Sequence, residues 1–430
     1  MKKKPLITTL LCFGALGLLI TGCNGKSNVG PQSEDSQESD TDNPQGLAFY
    51  LTDEDTYYVS AGTSTLLSNI VIPSTYNGKD VTGIMDEGFM GTRVKTITIP
   101  NSIKYIGDNA FRECDSLTSI DLPNSVSSIG YSVFEGCSSL KHINIPDNIS
   151  YIGYGAFTYC LSLEYNEYEQ GLYLGSENNK YSLLVKTVDK SITTFTVNEN
   201  CKRIYESAFS SCSLLVTIDL PDNLLYIHPR AFSHCESLQN INIPNGISSI
   251  GEAAFVGCSS LQNVSLPNKL TIISFGMFEN CAALQSIIIP DGVSSIGNYA
   301  FRECHSLTSI ELPDGVSSIG EAAFVGCSSL QNVSLPSKLN TISSGVFEGC
   351  SSLQGITIPI SVNLIQAGAF YNCTSLNKVF YVGNENDWLS ININGGNDSL
   401  TSATRYYYSE EEPTTPGNYW HYVNDEPTIW

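Results

Sequence analysis

Apolar residues return along this chain in a fixed order. One stretch reads Leu117-Thr118-Ser119-Ile120-Asp121-Leu122-Pro123, followed by Val126, Ile129-Gly130, Phe134 and Cys137. The alternation predicts a short strand, with Ile120 and Leu122 turned inward and Ser119 and Asp121 outward. Pro123 has no N–H to offer a ladder, so it stops strand pairing and turns the chain. Ile129 to Phe134 then returns on the opposite side as a short turn or helical piece, with Ile129 and Phe134 reaching the core.

The stretch repeats. Phe111, Phe134 and Phe157, and then Phe209 through Phe232 to Phe370, stand 23 residues apart, after a first unit at Phe89 that is one residue short. Cysteines follow three residues behind, from Cys114 and Cys137 to Cys373, and prolines keep the same period from Pro100 to Pro359. Three residue types in one register predict a solenoid of mainly β structure. Each coil lays its strand about 4.8 Å from the next, building a curved parallel sheet with turns or short helical pieces opposite. No coil has a core of its own, so stability comes from stacking. Segments 246–267 and 315–336 are almost identical, a sign of growth by internal duplication.

The expected order is an N-terminal β cap at 47–83, with a hairpin turning at Asp53-Glu54-Asp55, a solenoid of about twelve coils at 84–380, and a C-terminal cap at 381–430. One interval breaks the register: Cys160 and Cys212 are 52 residues apart. The excess, at about 164–192, holds Gly171-Leu172-Tyr173-Leu174 and Tyr181-Ser182-Leu183-Leu184-Val185, which predict a β-hairpin projecting from the solenoid.

The unit L-x-x-I-x-L-P-x-x-V-x-x-I-G-x-x-A-F-x-x-C-x-S resembles the BspA-like leucine-rich repeats of bacterial and protozoan surface proteins. The resemblance covers roughly residues 47–430 and implies a leucine-rich-repeat fold. It also implies a surface antigen or adhesin, a class whose ligands vary. Tyr205 and Ser274 depart from the pattern, standing where other coils have glycine.

Ahead of the repeats, Lys2, Lys3 and Lys4 precede an apolar run from Leu6 to Ile20 that ends at Ile20-Thr21-Gly22-Cys23. That order is a secretory signal, and its last four residues resemble a bacterial lipobox. The expectation is a lipoprotein signal peptide at 1–22, a diacylated Cys23, and a disordered tether at 23–46 too poor in apolar residues to fold. Such a protein sits outside the cytoplasm at a bacterial cell surface and touches the membrane through its lipid alone. The chain carries 43 acidic against 21 basic residues, a net charge of −22 that deepens to −25 once the three signal lysines are removed. That balance repels nucleic acid and anionic membrane surfaces.

Candidate chemistry is sparse. The cysteine column is expected to be buried free thiols packed as small hydrophobes, since side chains pointing the same way neither bridge nor converge on a metal. Cys201 lies off the column. The five histidines fall on different coils or in the tail with no nucleophile motif beside them, so no catalytic residue, cofactor or metal is expected. The aromatic residues of the tail, from Trp388 to Trp430, are read as cover for the last coil in preference to a sugar platform. The outward, concave column Asp121, Asn144, Asp219, Asn242, Ser265, Glu311, Ser334 and Thr357 is the expected ligand face. The functional expectation is a monomer that binds an extracellular protein in the manner of an adhesin; the alternative is a glycan-binding lipoprotein that assists polysaccharide capture.

Overall fold

The computed structural model describes residues 45–63, 68–424 and 426–430. The expected signal peptide, Cys23 and nearly all of the tether lie outside the described residues.

Each coil of the parallel solenoid has three sides. On the first, Ser119–Ile120 pairs in parallel with Thr96–Thr98 before it and His142–Ile143 after it. On the second, Ser128–Ile129 pairs with Tyr105–Ile106 and Tyr151–Ile152. This second ladder occupies a place where the sequence pattern predicts a turn or helical piece, and its strands in the regular coils are two residues long, too short to show an alternation. The third side is a stack of turns carrying the phenylalanines. Among the described residues the helices are Glu385–Leu389 and Asp398–Ser402, both after the last coil.

The third side is bound as firmly as the ladders. Asn109, Phe111 and Glu113 donate their N–H groups to the carbonyls of Tyr131, Val133 and Glu135 one coil on, at 2.7, 2.9 and 2.7 Å. Asn109 and Glu113 have positive φ, and this turns their N–H groups along the stack. The phenylalanine rings lie nearly parallel, with neighbouring centroids 5.2 to 6.0 Å apart. The thiol of Cys137 donates to the Phe111 carbonyl of the preceding coil at 3.0 Å, and Cys258 does the same to Phe232 at 3.1 Å. Cysteine therefore satisfies a backbone acceptor as well as filling space. Glycine at 153 is demanded by closeness, because a Cβ there would fall 2.4 Å from the Gly130 carbonyl group.

The insertion does form a hairpin, Gly171–Leu174 against Leu183–Thr187, but it is built into the stack. Leu183 and Leu184 pair in parallel with Arg203 and Ile204 in the second ladder, and Gly175 bridges to Asn144 in the first. Leu174, Leu183, Leu184 and Val185 are buried by this, where a projecting hairpin would leave them wet. The inserted coil has no phenylalanine side, so on that side the coil of Phe157 lacks its neighbour. Side chains from beyond the gap replace it. The Tyr205 ring lies 5.5 Å from that of Phe157, and its hydroxyl accepts from the Ala156 N–H at 2.9 Å and donates to the Gly153 carbonyl at 3.0 Å. The Glu206 carboxylate accepts from the Gly155 N–H at 2.8 Å. Arg203, 2% exposed, donates to the Asp147 carbonyl at 3.2 Å and lies over the Tyr226 ring. His228, at another position where other coils have glycine, packs behind Tyr205 with ring centroids 5.6 Å apart. The two apolar clusters of the molecule meet at this seam.

Removing the Tyr205 hydroxyl as Tyr205→Phe leaves the Ala156 N–H and Gly153 carbonyl without partners, and should cost about 1–3 kcal/mol in urea unfolding. Burial, with Arg203 adding to it, holds the His228 imidazole down to about 4 from its usual 6.5. Above pH 6.5 this group leaves stability unchanged. As pH falls from 6.5 towards 4, the unfolded chain takes up a proton that the folded chain refuses, so stability declines by up to about 3 kcal/mol. Urea unfolding at pH 7 and pH 4.5 should show a smaller acid loss in His228→Gln than in the native chain.

Candidate functional site

The first ladder turns alternate residues outward. Thr217 and Asp219 flank the inward Ile218, and the register sets Thr196 beside Asp219 and Asn242 beside Ser265. Farther along, Ile288 bridges to Glu311, and Ser334 lies beside Thr357. Asp121, Asp219, Asn242, Ser265, Glu311 and Ser334 are exposed in this column, with Ile288, 84% exposed, between Ser265 and Glu311. Their neighbours include the amide pair Asn263 and Asn240, hydrogen-bonded at 3.1 Å.

Two expected members are placed differently. Asn144 is half-buried and spends its amide on the adjacent strand, donating to the Leu122 carbonyl at 2.8 Å while its Oδ1 accepts from the Leu122 N–H. It straps the ladder where the insertion begins. Thr357 is 3% exposed, because its ladder partner Phe380 starts the aromatic cluster with Tyr406 and Trp420 that covers the end of the face. A ligand on the exposed face does not reach Thr357.

The insertion adds a cleft to the column, lined by Tyr168, Thr196, Asn198, Glu199, Asp219 and Pro221. Of these, the sequence pattern selects Asp219 alone. Tyr168 arrives from the stretch where the period fails, and that failure was the signal available for it; Asn198 and Glu199 stand in register, one period ahead of Pro221 and Asp222. The cleft combines an aromatic ring with carboxylates and amides, groups that accept hydrogen bonds and cover an apolar surface.

Nucleophiles and metal ligands are not assembled there. The twelve described cysteines are free and buried, and burial pushes the thiols of Cys258 and Cys304 up to about 12. Cys201 is buried at the seam and donates to the Arg203 carbonyl at 3.1 Å. Among the described residues, no group of three or more His, Cys, Asp or Glu side chains could hold a metal ion. His142 lies 3.7 Å from the exposed Glu164, and His305, on another coil, 3.3 Å from the half-buried Glu303. His421 stacks on Trp430. In the tail, Trp388 and Trp420 are buried over the last coil, Trp420 donating to the Tyr381 carbonyl at 3.0 Å. No described helix is long and apolar enough to cross a membrane.

The chain is matched by the model for the BspA-type leucine-rich-repeat region, in six copies, over residues 61–182, 188–305 and 272–390. Solved structures similar to it include a leucine-rich cell surface protein from Faecalibacterium prausnitzii, at 27% identity over 85% of this chain and 98% of that one, with a TM-score of 0.36. Another is a leucine-rich-repeat protein from Bacteroides ovatus, at 28% identity over 84% of this chain and 98% of that one, with a TM-score of 0.44. No curated protein matches the chain. With the three-sided coil, its 23-residue period and the family match covering most of its length, this chain belongs to the BspA-type leucine-rich-repeat proteins.

Proposed function

We propose that the protein is a lipid-anchored surface protein that binds a macromolecule, a protein of a host or a neighbouring cell, on the first ladder, in the manner of an adhesin. The observation that carries this is the column Asp121, Asp219, Asn242, Ser265, Glu311 and Ser334, exposed side chains set at ladder spacing on a backbone bonded on three sides. Apart from Glu311, side chains this short lose little rotamer freedom when a partner covers them. Leucine-rich-repeat solenoids are in general binding scaffolds and not enzymes, and BspA-type proteins are typically found at the cell surface. The acids in the column favour a basic partner surface, with association that slows as salt rises. Cys23 would supply the anchor. Glycan capture is a second reading, favoured by Tyr168 beside Asp219 and Thr196 in the cleft.

Replacing Asp219, Asn242 and Glu311 together by Lys should weaken capture of immobilised matrix or cell-surface protein by about tenfold or more, with melting unchanged. Undiminished capture by the triple variant would sink the first-ladder reading, and retention of purified polysaccharide in place of protein would favour the second. Cys23→Ser should move the protein from the membrane fraction to the soluble one, and retention in the membrane would rule out the lipid anchor.

A further inference from the structure

The second ladder has outward residues of its own. In five coils they are small and hydroxylic, at Ser128, Ser249, Ser295, Ser318 and Thr341. Near the front of the solenoid the column changes character. Tyr105 and Tyr151 stand on either side of Ser128, two ladder steps or about 10 Å apart. Tyr58 joins them from the N-terminal hairpin, opposite Gly83, where a Cβ would lie 2.7 Å from its ring. The bare backbone at Gly83 lets that ring lie across the strand and come within 6.0 Å of Tyr105. On the adjoining column Tyr131 meets Tyr151 edge-on at 6.0 Å, with Tyr154 one coil farther. Tyr131, Tyr151 and Tyr154 are 48%, 40% and 50% exposed. They take no part in the phenylalanine stack, and they close no end of the solenoid. The remaining tyrosine of the ladder, Tyr226, is occupied by Arg203.

The polar tips of these rings lie beside groups of the chain itself. Tyr105 donates to Asp86 at 3.3 Å, and Tyr151 lies against Tyr131. What remains for a partner is ring surface, bordered by carboxylates. Asp86 also accepts from the Asp108 N–H, and Asp108 accepts from the Tyr131 N–H at 2.8 Å, each through Oδ1, which leaves Oδ2 as an acceptor.

We infer that this row is a saccharide-binding lane for a neutral hexopyranose chain. Tyr58, Tyr105 and Tyr151 stack on the C–H faces of the sugar rings, and Asp86 and Asp108 accept hydrogen bonds from the hydroxyls. A pyranose has one apolar face and a rim of hydroxyl donors, so it asks for this pairing of aromatic surface and carboxylate. The two-step spacing of Tyr105 and Tyr151, about 10 Å, is that of a disaccharide unit in an extended chain. Carboxylates in the lane repel a uronic-acid polymer, which makes the ligand uncharged. The lane lies on a different side of the coil from the first-ladder column and does not depend on it.

The test is affinity electrophoresis of the full-length protein through gels holding a neutral glucan, a mannan or polygalacturonate. At least one neutral polymer should retard the protein, and polygalacturonate should not. Tyr151→Ala and Tyr131→Ala should each weaken retardation by about tenfold, Tyr151→Phe should preserve it, and Tyr371→Ala, an exposed ring elsewhere on the stack, should leave it unchanged. Equal melting temperatures exclude misfolding as the cause. The proposal is overturned if no neutral polymer retards the protein, or if Tyr151→Ala binds as well as the native chain. It is also overturned if the loss appears instead in the Asp219, Asn242 and Glu311 lysine variant, which would put the sugar on the first ladder.

Discussion

Backbone hydrogen bonds running along the stack set the spacing between coils, and most other features of the molecule are consequences of that spacing. When the third side donates from Phe111 to Val133 and from Phe134 to Ala156, equivalent residues of neighbouring coils are held at close range. Each side chain then meets its own counterpart above and below. Flat rings survive this by stacking, as at Phe255 and Phe278, and a small thiol survives it by donating to the carbonyl it would otherwise crowd. At Gly153 a Cβ would collide with the Gly130 carbonyl group, while Ser274 at the equivalent position is accommodated by donating its hydroxyl to the Ile250 carbonyl at 2.7 Å. The same closeness favours short polar side chains on the outward columns, so a rigid and finely spaced polar face follows from how the stack is held.

The insertion shows what happens when one coil fails to supply its share. The abbreviated coil contributes to both ladders but has no phenylalanine side, and the open backbone of Gly153, Gly155 and Ala156 needs partners. Tyr205 and Glu206 provide them with side-chain oxygens. Tyr205 stands at a glycine position beside the missing turn, and His228, at the equivalent position one coil on, packs behind it. The repair leaves a buried guanidinium and a neutral buried imidazole between two apolar clusters, and therefore sensitivity to acid.

The solenoid was legible because its signal is summed over many copies: phenylalanine, cysteine and proline hold one register, and the inward set follows from alternation. The second ladder was hidden, since a strand of two residues such as Ser128–Ile129 carries no period. The hairpin was legible, but its integration into the stack depended on which neighbour lacked a side. Of the eight residues expected on the ligand face, Asp121, Asp219, Asn242, Ser265, Glu311 and Ser334 are exposed. Asn144 is held by Leu122, and Thr357 is covered by a segment of the rear cap far along the chain. The tyrosine lane is assembled from Tyr58, Tyr105 and Tyr151, one per coil or hairpin, and only the registers of the second ladder bring them together.

Two outward surfaces, a polar and acidic column on the first ladder and an aromatic one on the second, are thus carried by one internal device. That device is bonding along the stack, continued across the seam by side chains. Native-state hydrogen exchange of the seam amides tests it most directly. If Tyr205 and Glu206 stand in for the missing turn, the Ala156 and Gly155 amides should be protected to a degree comparable with Phe134 and Phe232, with exchange rising only towards the two ends of the stack. Ala156 and Gly155 exchanging as freely as an exposed loop, while Phe134 and Phe232 stay protected, would contradict the account.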